Sequence, residues 1–131
     1  MQNDAQWHWG EGTKYATELI KSVVIINGAA AVSILTFIGN TRAHYVPLIV
    51  SMLCFAVGVA VGACTQGFAY LAQLHYGNAS QRLPSDPAYN LHWREASKWH
   101  WWTYVCAIGG LALFVLGVLS AAIGLTFFNS K

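Results

Sequence analysis

Charge is scarce in this sequence. Of 131 residues, seven are Lys or Arg and five are Asp or Glu, 9% together, against roughly 25% in a soluble globular domain. With 56% hydrophobic residues, too little polar material remains to coat a water-soluble surface. The net charge of +2 comes from dispersed basic residues, which excludes the clustered basic face that binds nucleic acid. The three cysteines, Cys54, Cys64 and Cys106, are odd in number and lack CxxC spacing. They give no disulfide framework and read as small buried hydrophobes. Asp4, Glu11, Glu18, Asp86 and Glu95 are the only acids. No paired carboxylates, nucleophile elbow or phosphate-cradling glycine loop is present, so no enzyme, no cofactor and no metal centre is expected.

What the sequence does hold is uncharged length. Residues 22–41, 43–81 and 99–130 carry no Asp, Glu, Lys or Arg. Each stretch reaches the about 20 residues that a helix needs to cross a hydrocarbon core of roughly 30 Å. Backbone groups in lipid must satisfy one another, so each stretch is predicted to be helical. The expected fold is all-α: one membrane domain, residues 1–131, with three transmembrane helices in an up-down-up bundle. The spans are expected at about 16–39, 45–74 and 101–128, with a polar segment at 75–100.

Punctuation sets the helix ends. Thr13 is a suitable N-cap, and Gly39-Asn40 ends the first helix, giving a helix near 13–39. Pro47 fits the first turn of a second helix over about 45–75. Gly77-Asn78 and Pro84-Ser85-Asp86-Pro87 read as turns. Asp86 and Pro87 form an N-cap and N1 pair that starts a third helix near 87–128. The acidic residues among the first 22 argue against a cleaved signal peptide. Lys14, Lys21, Arg82, Arg94 and Lys98 fall on one side, with Arg42 and Lys131 on the other. The positive-inside rule then puts the N-terminus in the cytoplasm.

Small residues recur at helical spacing. The second helix has Gly58 and Gly62 with Thr65 and Ala69. The third has Gly110, Gly117, Ala121 and Gly124, and the first has Ser22, Ala29, Ser33 and Thr36. Small residues let helices approach closely in lipid, so these stripes are expected to be packing faces. Asn27 and Gln66 are the most polar residues within the spans and are expected to hydrogen-bond between helices, with a wetted pore or ligand contact as the alternative. Trp93, Trp99, Trp101 and Trp102, with Tyr104, Trp7 and Trp9, read as an aromatic belt at the membrane surface. The five histidines, His8, His44, His75, His92 and His100, fall at span edges or in loops and read as interfacial side chains. His92 and Glu95 do share a helical face, near His75, in the pattern of a surface metal site.

The segments Glu18-Leu-Ile-Lys21, Ile26-Asn27-Gly28-Ala29-Ala30, Phe68-Ala69-Tyr70-Leu71-Ala72-Gln73 and Ala112-Leu-Phe114-Val-Leu-Gly117 carry a resemblance. In them the chain resembles small, uncharacterised three-helix inner-membrane proteins of bacteria. The resemblance implies a bacterial inner membrane and no known activity. Three readings of function follow. The first is a protein that packs with copies of itself or with a larger membrane partner. The second is a membrane-permeabilising oligomer of holin-like or defence-effector kind. The third is a redox or metal-binding membrane subunit. The lipid bilayer is the partner common to all three.

Overall fold

The computed structural model describes residues 2–42 and 45–129, with side chains described throughout except at 2–13 and 15. Three helices account for nearly all of it: α1 (Gln2–Thr41), α2 (Val46–Ser80) and α3 (Pro87–Asn129). No strand occurs among the described residues. All three helices are long and apolar enough to cross a membrane, α1 over Ala16–Thr41.

Two ends differ from expectation. α1 begins at Gln2 rather than at Thr13. Residues 2–12 contain no proline, and extending an existing helix costs far less than nucleating a new one. α2 runs on to Ser80, through Gly77-Asn78. The signal for a turn there is overridden by packing: Ala79 is fully buried, and Tyr76 meets Trp93 of α3 with ring centroids 5.1 Å apart. The start of α3 is as expected. Asp86 Oδ1 accepts from the Ala88 N–H at 2.8 Å, satisfying an amide that the helix cannot. After α1, Arg42 takes a left-handed conformation, φ 53°, one residue past the helix end where glycine is the usual choice.

Burial along α2 follows a strict seam. Leu48, Ser51, Phe55, Gly58, Gly62, Thr65, Ala72 and Ala79 are buried. With half-buried Ala69 and Tyr76 they alternate in steps of three and four. On α3, buried Ala96, Gly110, Gly117 and Gly124 repeat every seven residues, and Thr103 fills the gap half-buried. A seven-residue period is the signature of left-handed, coiled-coil-like packing.

Partners along the seam run in opposite directions on α2 and α3. Phe68 stacks on Trp99 at 5.6 Å, Phe55 meets Phe114 at 5.7 Å, and Ser120 Oγ donates to Pro47 O at 2.7 Å. α1 lies antiparallel on α2 in the same way. Val24 faces Gly62, and Ile38 packs with Leu48. Outside this seam the large apolar side chains point away from the bundle. Leu35, Leu53, Ile108, Leu119 and Ile123 are all more than half exposed, the reverse of a water-soluble protein.

Candidate helix-packing site

The seam works as knobs set against glycines. A Cβ on Gly117 would lie 2.6 Å from the Phe55 ring. One on Gly124 would lie 2.6 Å from Leu48 Cδ2, and one on Gly62 2.6 Å from Val24 Cγ2. At Gly58 it would collide with the Asn27 carboxamide, and at Gly110 it would come within 3.1 Å of Val23 Cγ1. These five glycines are buried, whereas Ala121 is half-buried. Each absent side chain is a hole filled by a neighbouring helix, and the close approach gathers dispersion contacts along the seam. Ser51 Oγ adds a hydrogen bond across it, donating to Gly117 O at 2.8 Å.

The small stripe of α1 does not join them. Ser22, Ala29, Ser33 and Thr36 are exposed, and the Ser22 and Ser33 hydroxyls donate to their own helix, at Glu18 O and Ala29 O. α1 instead turns Ile20, Val23, Asn27 and Ile38 inward. Larger side chains gain more by filling the glycine holes of α2 than a second row of small residues would. Spacing alone made the glycines of α2 and α3 visible. The knobs Val24, Leu48 and Phe55 do not stand out in that way, although the three-and-four spacing of Leu48, Ser51, Phe55 and Gly58 carries a signal for the α2 row.

The two amides within the candidate spans have different surroundings. Asn27 is fully buried. Its Nδ2 donates to Val23 O at 2.9 Å and, more weakly, to Gly110 O at 3.5 Å, while Oδ1 is buried with no partner. Gly58, beside Asn27, lies ten residues from Leu48 and ten from Phe68, so about 15 Å from either level. Asn27 therefore sits midway between the Leu48 and Phe68 levels of α2. Gln66 is exposed and, among the described residues, makes no cross-helix bond. It stands two residues from Phe68, at the level of the tryptophans.

Those tryptophans lie together on α3. Trp93, Trp101 and Trp102 are exposed. Trp99 is half-buried on Phe68, with Lys98 Nζ 5.7 Å from its ring centroid. Trp7, Trp9, His8 and His44 lie outside the described side chains. Of the cysteines, Cys54 and Cys106 are half-buried, Cys64 is exposed, and all three are free.

Beyond the Phe68–Trp99 level, α2 and α3 continue as a hairpin that includes Trp93. His75 Nδ1 lies 3.4 Å from His92 Nδ1, and the Tyr76 hydroxyl lies 3.5 Å from His100 Nδ1. Arg82 pairs with Asp86 at 3.0 Å, and Glu95 with Lys98 at 3.5 Å. The Ala88 amide, then Arg82, hold the Asp86 carboxyl below its usual value. Asn78, Gln81, Arg82, Ser85, Asp86 and His92 line an open depression of about 730 Å³ at the turn. Among the described residues no three His, Cys, Asp or Glu side chains converge as a metal cluster. Glu95, placed by its spacing beside His92, is engaged by Lys98 instead.

No family model, curated protein or solved structure matches the chain.

Proposed function

We propose that this chain is a multi-pass protein of a bacterial inner membrane. It crosses up-down-up with its N-terminus in the cytoplasm, and acts by packing its helices against copies of itself or a larger membrane partner, without catalysis. The observation that carries the reading is a second row of small residues on the outside of α2. Ala56, Ala60, Ala63 and Gly67 are exposed in steps of four, three and four, and a Cβ at Gly67 would meet nothing within 4 Å. The exposed row on α1 adds to it. Within the chain only 17%, 28% and 11% of the apolar 18-residue stretch of each helix is buried, so most of that stretch is left for lipid or for another helix. In lipid, small-residue rows of this kind are where helices associate.

The test is cross-linking in native membranes, followed by sizing in mild detergent. Wild type should give a discrete oligomer or a co-purifying membrane protein, and Ala60→Leu or Gly67→Leu should abolish it while leaving helix content intact. A lone monomer in membranes, unaffected by either substitution, would refute the proposal. The permeabilising oligomer is the alternative and draws less support. A pore lining needs polar groups on the outer face at mid-membrane depth. Here the mid-depth amide, Asn27, is sealed inside one chain, and Gln66 stands at the tryptophan level.

A further inference from the structure

His75 and His92 come from different helices, seventeen residues apart in sequence, and meet with their Nδ1 atoms 3.4 Å apart. Their ring centroids are 5.7 Å apart and their planes are inclined by 35°. Both rings are half-buried, and neither makes another hydrogen bond among the described residues. The spacing is long for a hydrogen bond donated by N–H, which prefers about 2.7–3.2 Å. It does match the separation of two imidazole nitrogens on one tetrahedral metal: bonds of about 2.0–2.1 Å set the nitrogens roughly 3.4 Å apart. Two neutral imidazoles that both aim an Nδ1 lone pair into one gap repel each other unless a proton or a cation stands between them.

We propose that His75 and His92 form a site for a first-row divalent cation that favours imidazole, of the class Zn²⁺, Cu²⁺ or Ni²⁺. The two Nδ1 atoms are the protein ligands. No third side chain joins them, so water completes the coordination, entering through the depression that His92 helps line. Arg82, the cation on that rim, is neutralised by Asp86 and does not repel an incoming ion. Any proton held between the rings leaves to solvent as the metal enters. His75 lies two turns past the Phe68–Trp99 level, so the site is outside the apolar zone. A bound ion would tie α2 to α3 near the hairpin turn, and this inference does not depend on how the spans associate.

The test uses full-length protein in detergent, purified without a polyhistidine tag. On titration with Cu²⁺, electron paramagnetic resonance should count two imidazole nitrogens on one tight copper per chain. His75→Gln or His92→Gln should weaken that site at least tenfold and lower the nitrogen count. His100→Gln should leave both unchanged. Zn²⁺ should raise the thermal midpoint of wild type and of His100→Gln, but not of the other two variants. Circular dichroism checks helix content. Should a variant lose its helices, the wild-type nitrogen count decides alone, and fewer than two nitrogens overturns the site. Unchanged affinity in folded His75→Gln or His92→Gln overturns it as well.

Discussion

Substituting Gly117 with alanine adds one methyl group, and two opposed effects set the outcome. Alanine is the better helix former, by about 1 kcal/mol. Against that, the new Cβ would lie 2.6, 2.8 and 2.9 Å from three atoms of the Phe55 ring, whereas carbon atoms prefer about 3.5–4.0 Å. The ring has little room to yield, being 2% exposed and packed on Phe114. α2 and α3 must therefore part by about 1 Å, a shift that also carries Ser51 Oγ, now 2.8 Å from Gly117 O, beyond hydrogen-bond range. Overpacking of this kind costs about 1–3 kcal/mol, and a hydrogen bond between membrane helices is worth about 0.6 kcal/mol. Less the propensity gain, Gly117→Ala should destabilise the bundle by about 0.5–2.5 kcal/mol. Gly109→Ala is the control, because a Cβ there meets nothing nearer than Val61 Cγ1 at 4.0 Å; only the propensity gain remains, and that variant should be more stable. Reversible unfolding in mixed micelles, by titrating a denaturing detergent and following helix content, measures both. Phe55→Leu should restore part of the loss in the Gly117→Ala background. If Gly117→Ala is as stable as Gly109→Ala, the knob-and-hole account of the seam is wrong.

Asn27→Leu should leave stability within about 1 kcal/mol of wild type in the same assay, because an apolar replacement of similar shape removes the unmet acceptor Oδ1 together with the Nδ2 bonds; a loss above about 2 kcal/mol would mean that Oδ1 has a partner. Arg42→Gly should stabilise by about 0.5–1 kcal/mol, since the φ of 53° suits glycine better than a residue with a Cβ, and a loss of stability there would contradict the cap. Asp86 has its carboxyl lowered by the Ala88 amide and by Arg82. Its capping contribution is therefore present above the ordinary value of 3.8 and lost as pH falls through the lower, folded-state value. Protection of the Ala88 amide against hydrogen exchange, corrected for intrinsic rate, should fall at acid pH in wild type and be low at every pH in Asp86→Ala; equal protection in both proteins would remove Asp86 as the cap.

The spans were legible because charge-free length is a property of composition, and the Asp86–Pro87 start because its chemistry is local. The glycines of α2 and α3 could be seen as a spaced row, but what fills a glycine is a residue of another helix, and one helix's spacing does not name it. Leu48 and Phe55 share the three-and-four row of α2, but which glycine each fills, and that Val24 of α1 does the same, shows only with the helices in register. The same limit explains the row on α1. Ser22, Ala29, Ser33 and Thr36 have suitable spacing, yet which side of a helix turns inward depends on the competing side, here Val23, Asn27 and Ile38. Depth is also relational. Gln66 lies far from any charge in sequence, but the stacking of Phe68 on Trp99 places it beside the aromatic belt. Gly77-Asn78 reads as a turn because both residues favour one, and the cross-helix packing of Tyr76 and Ala79 outweighs that preference.

The heptad seam of α2 has no joint at the tryptophan level. Thr65, Ala72 and Ala79 continue the same step of seven, and Ala96 of α3 keeps the register beyond Trp99. Neither helix has a proline past its first turn or a glycine in the left-handed region. A hairpin built this way is a lever of about 1.5 Å per residue, with no hinge between its wet end and its apolar end. A force on the turn at Arg82–Asp86 would therefore not be absorbed by local bending. It would be delivered as tilt to the Gly58–Gly110 crossing, some forty ångströms away by the roughly 1.5 Å rise, so that whatever grips the tip also sets the angle at which the helices stand among their neighbours.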